Sequence, residues 1–283
     1  MLSLLAETFD SSFMQRALVG SLLAVVATSL VGTWVVLRGL AFLGDAHSHG
    51  VVPGIALAVL WGFSLILGAL AAAAVMGVLV TLVSSRTSLR DDTGIGLLFV
   101  GMLSLGVVIV SRARSFATEV TSLLFGDVLG VTREDINGQL VATVIVVVAT
   151  VVLYRPFLAL SFNREKAATL GMHPTIAHVA MMILLALSIV ASFQAVGTLL
   201  VFGLLIGPPA TASLITRRVP LMMLTSIGFG ALAVVAGLTI SFHASTAGGA
   251  TMAGLSVLQF FVVFAITEAR AAWRARTASP TPA

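Results

Sequence analysis

Three stretches of this chain, from Asp45 to Arg86, Lys166 to Arg217 and Arg218 to Glu268, contain no Asp, Glu, Lys or Arg between their end residues. Each is far longer than the roughly 20 residues one helix needs to cross a bilayer, so each must hold two crossings. A water-facing surface needs far more charge than this chain carries. Its side chains are 59% apolar and 9% charged, against about 25% charged in a globular domain, and its mean hydropathy is +1.13. The sequence therefore predicts an all-α integral membrane protein. The absence of cysteine excludes disulfides, thiolate metal sites and cysteine nucleophiles. The pI near 11.0 rests on arginine, Lys166 being the single lysine. In a lipid-embedded chain that balance belongs to orienting loop charges, and no nucleic acid partner is expected.

Breakers place the hairpins at Gly62, at the step from Gln194 to Gly197 and along His243 to Gly249. Segments are expected near 13 to 37, 40 to 61, 64 to 84, 93 to 110, 136 to 154, 175 to 194, 197 to 215, 220 to 241 and 250 to 268, a polytopic bundle of eight or nine transmembrane helices. The count turns on whether 40 to 61 spans fully or breaks at Pro53-Gly54. A cytoplasmic C-terminus puts Arg38, Arg86, Arg90, Arg155, Arg164, Lys166, Arg217, Arg218, Arg270, Arg274 and Arg276 inside. Arg16, Arg112, Arg114 and Arg133 are left outside, as the positive-inside rule asks. The first apolar run is too long for a cleavable signal. Residues 1–270 read as a single transmembrane domain, and 271–283 as a disordered cytoplasmic tail.

Asp45, His47 and His49 lie within eleven residues of Arg38, so at about 1.5 Å per residue His49 approaches the middle of the hydrocarbon layer. An ionised Asp at that depth costs roughly 2.5–3.5 kcal/mol and needs a cavity or a partner. Asp45 and His49, at i and i+4, share a helical face, whereas His47 is rotated about 200° from each. One carboxylate and one imidazole suit Zn, Mn or Fe(II), and two protein ligands, fewer than a structural zinc site takes, would let the ion go. An internal hydrogen-bonded pair stabilising a bend before Pro53-Gly54 explains the same residues. His47 reads as a packed or solvated neighbour, and His173, His178 and His243 as lone structural histidines.

A second region, Asn163 to Pro174, reads as a short cytoplasmic helix with Asn163 as N-cap and Gly171 as C′ glycine. Ala167, Ala168 and Leu170 are offered either to another protein's groove or to the membrane surface. No G-x-x-x-x-G-K-[ST] precedes Lys166, so this chain cannot cradle ATP phosphates, and it is not expected to be an enzyme by itself. It has no H-E-x-x-H or G-x-S-x-G sequence either, which argues against an intramembrane protease.

Four ordered motifs then carry a resemblance. They are Gly44-Asp45-Ala46-His47-Ser48-His49 with Pro53-Gly54, Leu124-Phe125-Gly126-Asp127, Glu165-x-Ala167-x-x-Leu170-Gly171, and Val196-Gly197 through Gly207-Pro208-Pro209. The chain resembles the permease subunits of bacterial zinc, manganese and iron ABC importers. The resemblance implies a type II ABC-importer permease-like fold in the bacterial cytoplasmic membrane. It also implies a homodimer over a cytoplasmic ATP-binding subunit dimer, fed by an extracytoplasmic metal-binding protein. No cofactor is tightly bound, and a divalent ion, Zn2+ or Mn2+ with Fe2+ as a third option, is the substrate. Asp45 and His49 map onto the transient metal site, Glu165 to Gly171 onto the helix that couples to the ATPase, and Phe125, Gly126 and Asp127 onto the loop where the binding protein docks. The chain departs from the family at Ser241 to Ala250, where an acid and a proline are missing, leaving His47 or His243 as possible substitutes. The rival readings are an ATP-independent secondary metal carrier and a non-transporting membrane anchor.

Overall fold

The computed structural model describes residues 7–86, 91–111, 130–162, 171–196 and 198–277, and every extended element among them is helical. In chain order these are α1 (Ser12–Leu37), α2 (Ala41–Gly50), α3 (Val52–Trp61), α4 (Leu65–Arg86), α5 (Asp91–Val110), α6 (Arg133–Val152), α7 (Tyr154–Phe162), α8 (Pro174–Val196), α9 (Thr198–Ile215), α10 (Val219–Ala244) and α11 (Gly248–Thr277). Seven of them, α1, α4, α5, α6, α8, α10 and α11, are long and apolar enough to cross a membrane. Shorter than these, α9 carries Pro208 and Pro209 inside its length.

The 40 to 61 segment is not one rod. It is two ten-residue helices, α2 and α3, each about 15 Å long and too short to span alone. The break falls at Val51, two residues before the Pro53-Gly54 step where it was expected. Pro53 has no N–H to give the carbonyl of His49 four residues earlier, and the Val51 N–H turns back onto that carbonyl instead. α3 then ends on Gly62, whose φ of +69° caps the helix in the left-handed region, at the expected hairpin.

α1 and α8 are the buried spine, whereas α5 and α11 turn most of their surface outward. Small residues let α1 pack against α6, α8, α9 and α10 at once. A side chain on Gly32 would collide with the Leu205 carbonyl of α9, so glycine sets that crossing. Two residues further along α1, Trp34 stands edge-on to Tyr154 and Phe157 at 5.6 Å each. Large apolar side chains face outward from the bundle: Val151, Leu97 and Leu224 are each at least two-thirds exposed, as lipid solvent allows.

Two further elements differ from expectation. α6 begins at Arg133, before 136, because Thr132 and Asp135 form a reciprocal capping box. α11 continues past Glu268 to Thr277, so residues 271–277, expected to be disordered, form the end of a helix.

Candidate functional site

The polar residues of α2 divide between two faces of one short helix. On the first, His49 Nε2 lies 3.5 Å from Asp45 Oδ1, with side chains 16% and 29% exposed. The ring of Phe99 from α5 stands edge-on to His49 at 5.3 Å, and Phe42 packs edge-on to Phe99 at 5.9 Å. This aromatic wall narrows the space in which the pair sits. The other ring nitrogen, His49 Nδ1, is buried without a hydrogen-bond partner.

That separation is informative. A charge-assisted N–H···O bond is shortest and strongest near 2.7–2.9 Å, and 3.5 Å is well outside that range. An ion held about 2.1 Å from an oxygen and a nitrogen at a near-tetrahedral angle would separate them by roughly 3.4 Å. The pair is thus spread to about the bite of a first-row divalent ion. Among the described residues no group of three or more His, Asp or Glu could hold a metal, so this pair stands without a third such side chain.

His47 faces the other way. It is fully buried, its Nδ1 lies 3.2 Å from the Leu43 carbonyl of its own helix, and its Nε2 has no partner. A Cβ placed on Gly77 of α4 would stand 3.8 Å from that nitrogen and 3.5 Å from Met182 of α8. His47 is therefore a packing residue between α4 and α8 and does not converge with Asp45 and His49. On the opposite flank Gly44 meets the Leu205 and Phe202 side chains of α9, so α2 is gripped from both sides while its polar pair stays half-buried.

His243 is exposed at the end of α10, its Nδ1 2.9 Å from the Thr239 carbonyl of the same helix, so that nitrogen is engaged locally. His178, expected to stand alone, is paired: Arg38 Nη1 donates to its Nδ1 at 3.2 Å and also approaches Met181 Sδ at 3.4 Å. This contact ties the end of α1 to the start of α8, and a separation of 140 residues left no local signal for it. Of the expected coupling residues, Glu165, Ala167, Ala168 and Leu170 lie outside the described residues, as do Phe125, Gly126 and Asp127 of the docking loop. Gly171 is described, and its φ of +71° lies in the left-handed region that favours glycine.

Comparison with known proteins identifies the family of the chain. A family model described as "ABC 3 transport family" matches residues 10–267. The "Manganese transport system membrane protein MntC" of Listeria monocytogenes is 33% identical over 253 residues, 89% of this chain and 90% of that one. The "Manganese import system permease protein ScaB" of Streptococcus parasanguinis is 35% identical over 254 residues, 90% of each chain. Among solved structures, "PsaBC from Streptococcus pneumoniae in complex with Fab" superposes with a TM-score of 0.84 at 29% identity, covering 93% of this chain and 95% of that one.

Proposed function

The chain belongs to the ABC 3 transport family, and on that premise we propose that Asp45 and His49 hold its cargo, a divalent transition metal ion, during passage across the membrane. The chain is the multi-pass permease of a metal ABC importer, and ATP is hydrolysed by a separate subunit. Family membership removes the secondary carrier and the inert anchor as competing readings. The observation that carries the site is the 3.5 Å separation of Asp45 Oδ1 and His49 Nε2 on a short helix that breaks two residues later. A polar pair beside a broken helix near mid-membrane is how many transporters expose donors to a path without exposing backbone to lipid.

An external binding protein delivers the ion, and the carboxylate cancels part of its charge while the imidazole replaces part of the water it has shed. Two ligands hold it loosely enough to let go. Two copies of the chain would present two such pairs, over a pair of ATPases engaged through the segment from Glu165 to Gly171, with Phe125 to Asp127 facing the binding protein. The C-terminus lies in the cytoplasm and the bundle makes eight or nine crossings, α2 and α3 together serving as one. Zn, Mn and Fe(II) all accept an oxygen and a nitrogen donor, so the choice among them falls to the delivering protein. Asp45→Ala and His49→Ala are expected to abolish metal-dependent growth while the protein remains in the membrane at its usual level. Normal radiometal uptake by Asp45→Ala would remove the site.

A further inference from the structure

At the junction of α6 and α7 the bundle opens into a cleft of about 550 Å³ that the transport site does not use. Its walls are Leu30 of α1, Val147 and Val151 of α6, and Pro220 and Met223 of α10, and Tyr154 and Arg155 stand at the helix junction. The junction exists because Pro156 cannot donate to the carbonyl of Val152, so α6 stops at Val152 and α7 starts at Tyr154. A 20-residue helix covers about 30 Å, the thickness of the hydrocarbon layer. Arg155, just beyond α6, therefore stands at headgroup depth.

Two observations say what such a cleft takes. Arg155 is exposed, and none of the described acidic residues pairs with it. Arg155 itself lines the cleft, so its mouth carries a positive charge. Deeper in, Thr150 is 3% exposed, yet its hydroxyl has no hydrogen-bond partner. Buried helical threonines elsewhere in the chain, Thr28, Thr33 and Thr211, donate to the carbonyl four residues back; Thr150 does not. A polar atom left unpaired in an apolar wall is costly, and here it belongs to the last turn of α6, in the same cleft as Arg155.

We propose that this cleft is a binding site for an anionic phospholipid. Arg155 holds the headgroup phosphate in a charge-assisted fork, the Thr150 hydroxyl donates to an ester oxygen below it, and one acyl chain lies between Val147, Leu30 and Met223. The lipid bridges α6, α10 and α1, the helices that meet at the cleft, and so braces the end of the bundle from which α7 leaves.

The test is native mass spectrometry of the delipidated full-length chain titrated with phosphatidylglycerol, phosphatidylcholine or inorganic phosphate. Phosphatidylglycerol is expected to bind in preference to phosphatidylcholine. Arg155→Gln should weaken it at least about tenfold as the charge-assisted fork is lost, and Thr150→Val about threefold as a neutral bond is lost. Both variants keep the fold, since Arg155 is at the surface and valine matches threonine in shape. Equal affinity for the two lipids, or unchanged phosphatidylglycerol affinity in Arg155→Gln, overturns the proposal. Inorganic phosphate that competes phosphatidylglycerol off would reduce the cleft to a phosphate site and overturn it too.

Discussion

His47 separates two roles that neighbouring histidines can play. It is two residues from each member of the proposed metal pair, yet one helix rotation sends it into the contact between α4 and α8, with an unpartnered Nε2. Replacing the ring by an apolar group of similar volume gives up the unpartnered Nε2 and one contact of Nδ1 with the Leu43 carbonyl, about 1 kcal/mol of stability, so His47→Leu should transport metal at close to the native rate. His47→Ala leaves a hole and should lose roughly 2 kcal/mol or more of stability, read as a lower thermal midpoint in detergent. A transport defect in His47→Leu at normal expression would give this residue the functional role its surroundings deny it. The i, i+4 spacing that joins Asp45 to His49 was legible in the sequence, because helix periodicity alone fixes it. Which neighbours His47 would meet was not, since α4 and α8 come from remote parts of the chain.

Helix crossings in lipid depend on how closely backbones approach, and α3 with α4 is the tightest case beside the site. A Cβ on Gly54 would strike the Gly68 carbonyl, and one on Gly68 would strike the Gly54 carbonyl. Gly62, by contrast, needs glycine only for its φ of +69°, with open space around it. Gly54→Ala should therefore force the helices apart and lower stability by about 1–3 kcal/mol. Gly62→Ala should cost only the left-handed penalty of about 1–2 kcal/mol and leave transport intact. Thermal unfolding and uptake measured on the two variants decide this, and equal transport defects would refute it. Hairpins marked by Gly62 and by His243 to Gly249 could be read from the sequence, since turn chemistry is local. The break at Val51 was displaced because a proline acts on the carbonyl four residues before it. The tie from Arg38 to His178 and the cleft below Arg155 are tertiary, and no window of sequence holds both sides of either.

At the scale of the whole molecule, a chain with no phosphate-cradling motif in a family of ABC transport must borrow its energy. The permease should co-purify with an ATP-binding subunit, and Leu170→Glu or Gly171→Ala should weaken that association and uncouple ATP hydrolysis from uptake while the bundle stays folded. The account's central claim, that Asp45 and His49 act on one ion together, is tested most directly by a double-mutant cycle on initial rates of radiometal uptake. The complete importer would be reconstituted in vesicles with Asp45→Asn, His49→Gln and both changes, each of which keeps a weaker donor. If the two side chains grip the same ion, each single change should lower apparent metal affinity steeply and the double change should be little worse than either. Native affinity in either single variant, or losses that simply multiply in the double one, would contradict it.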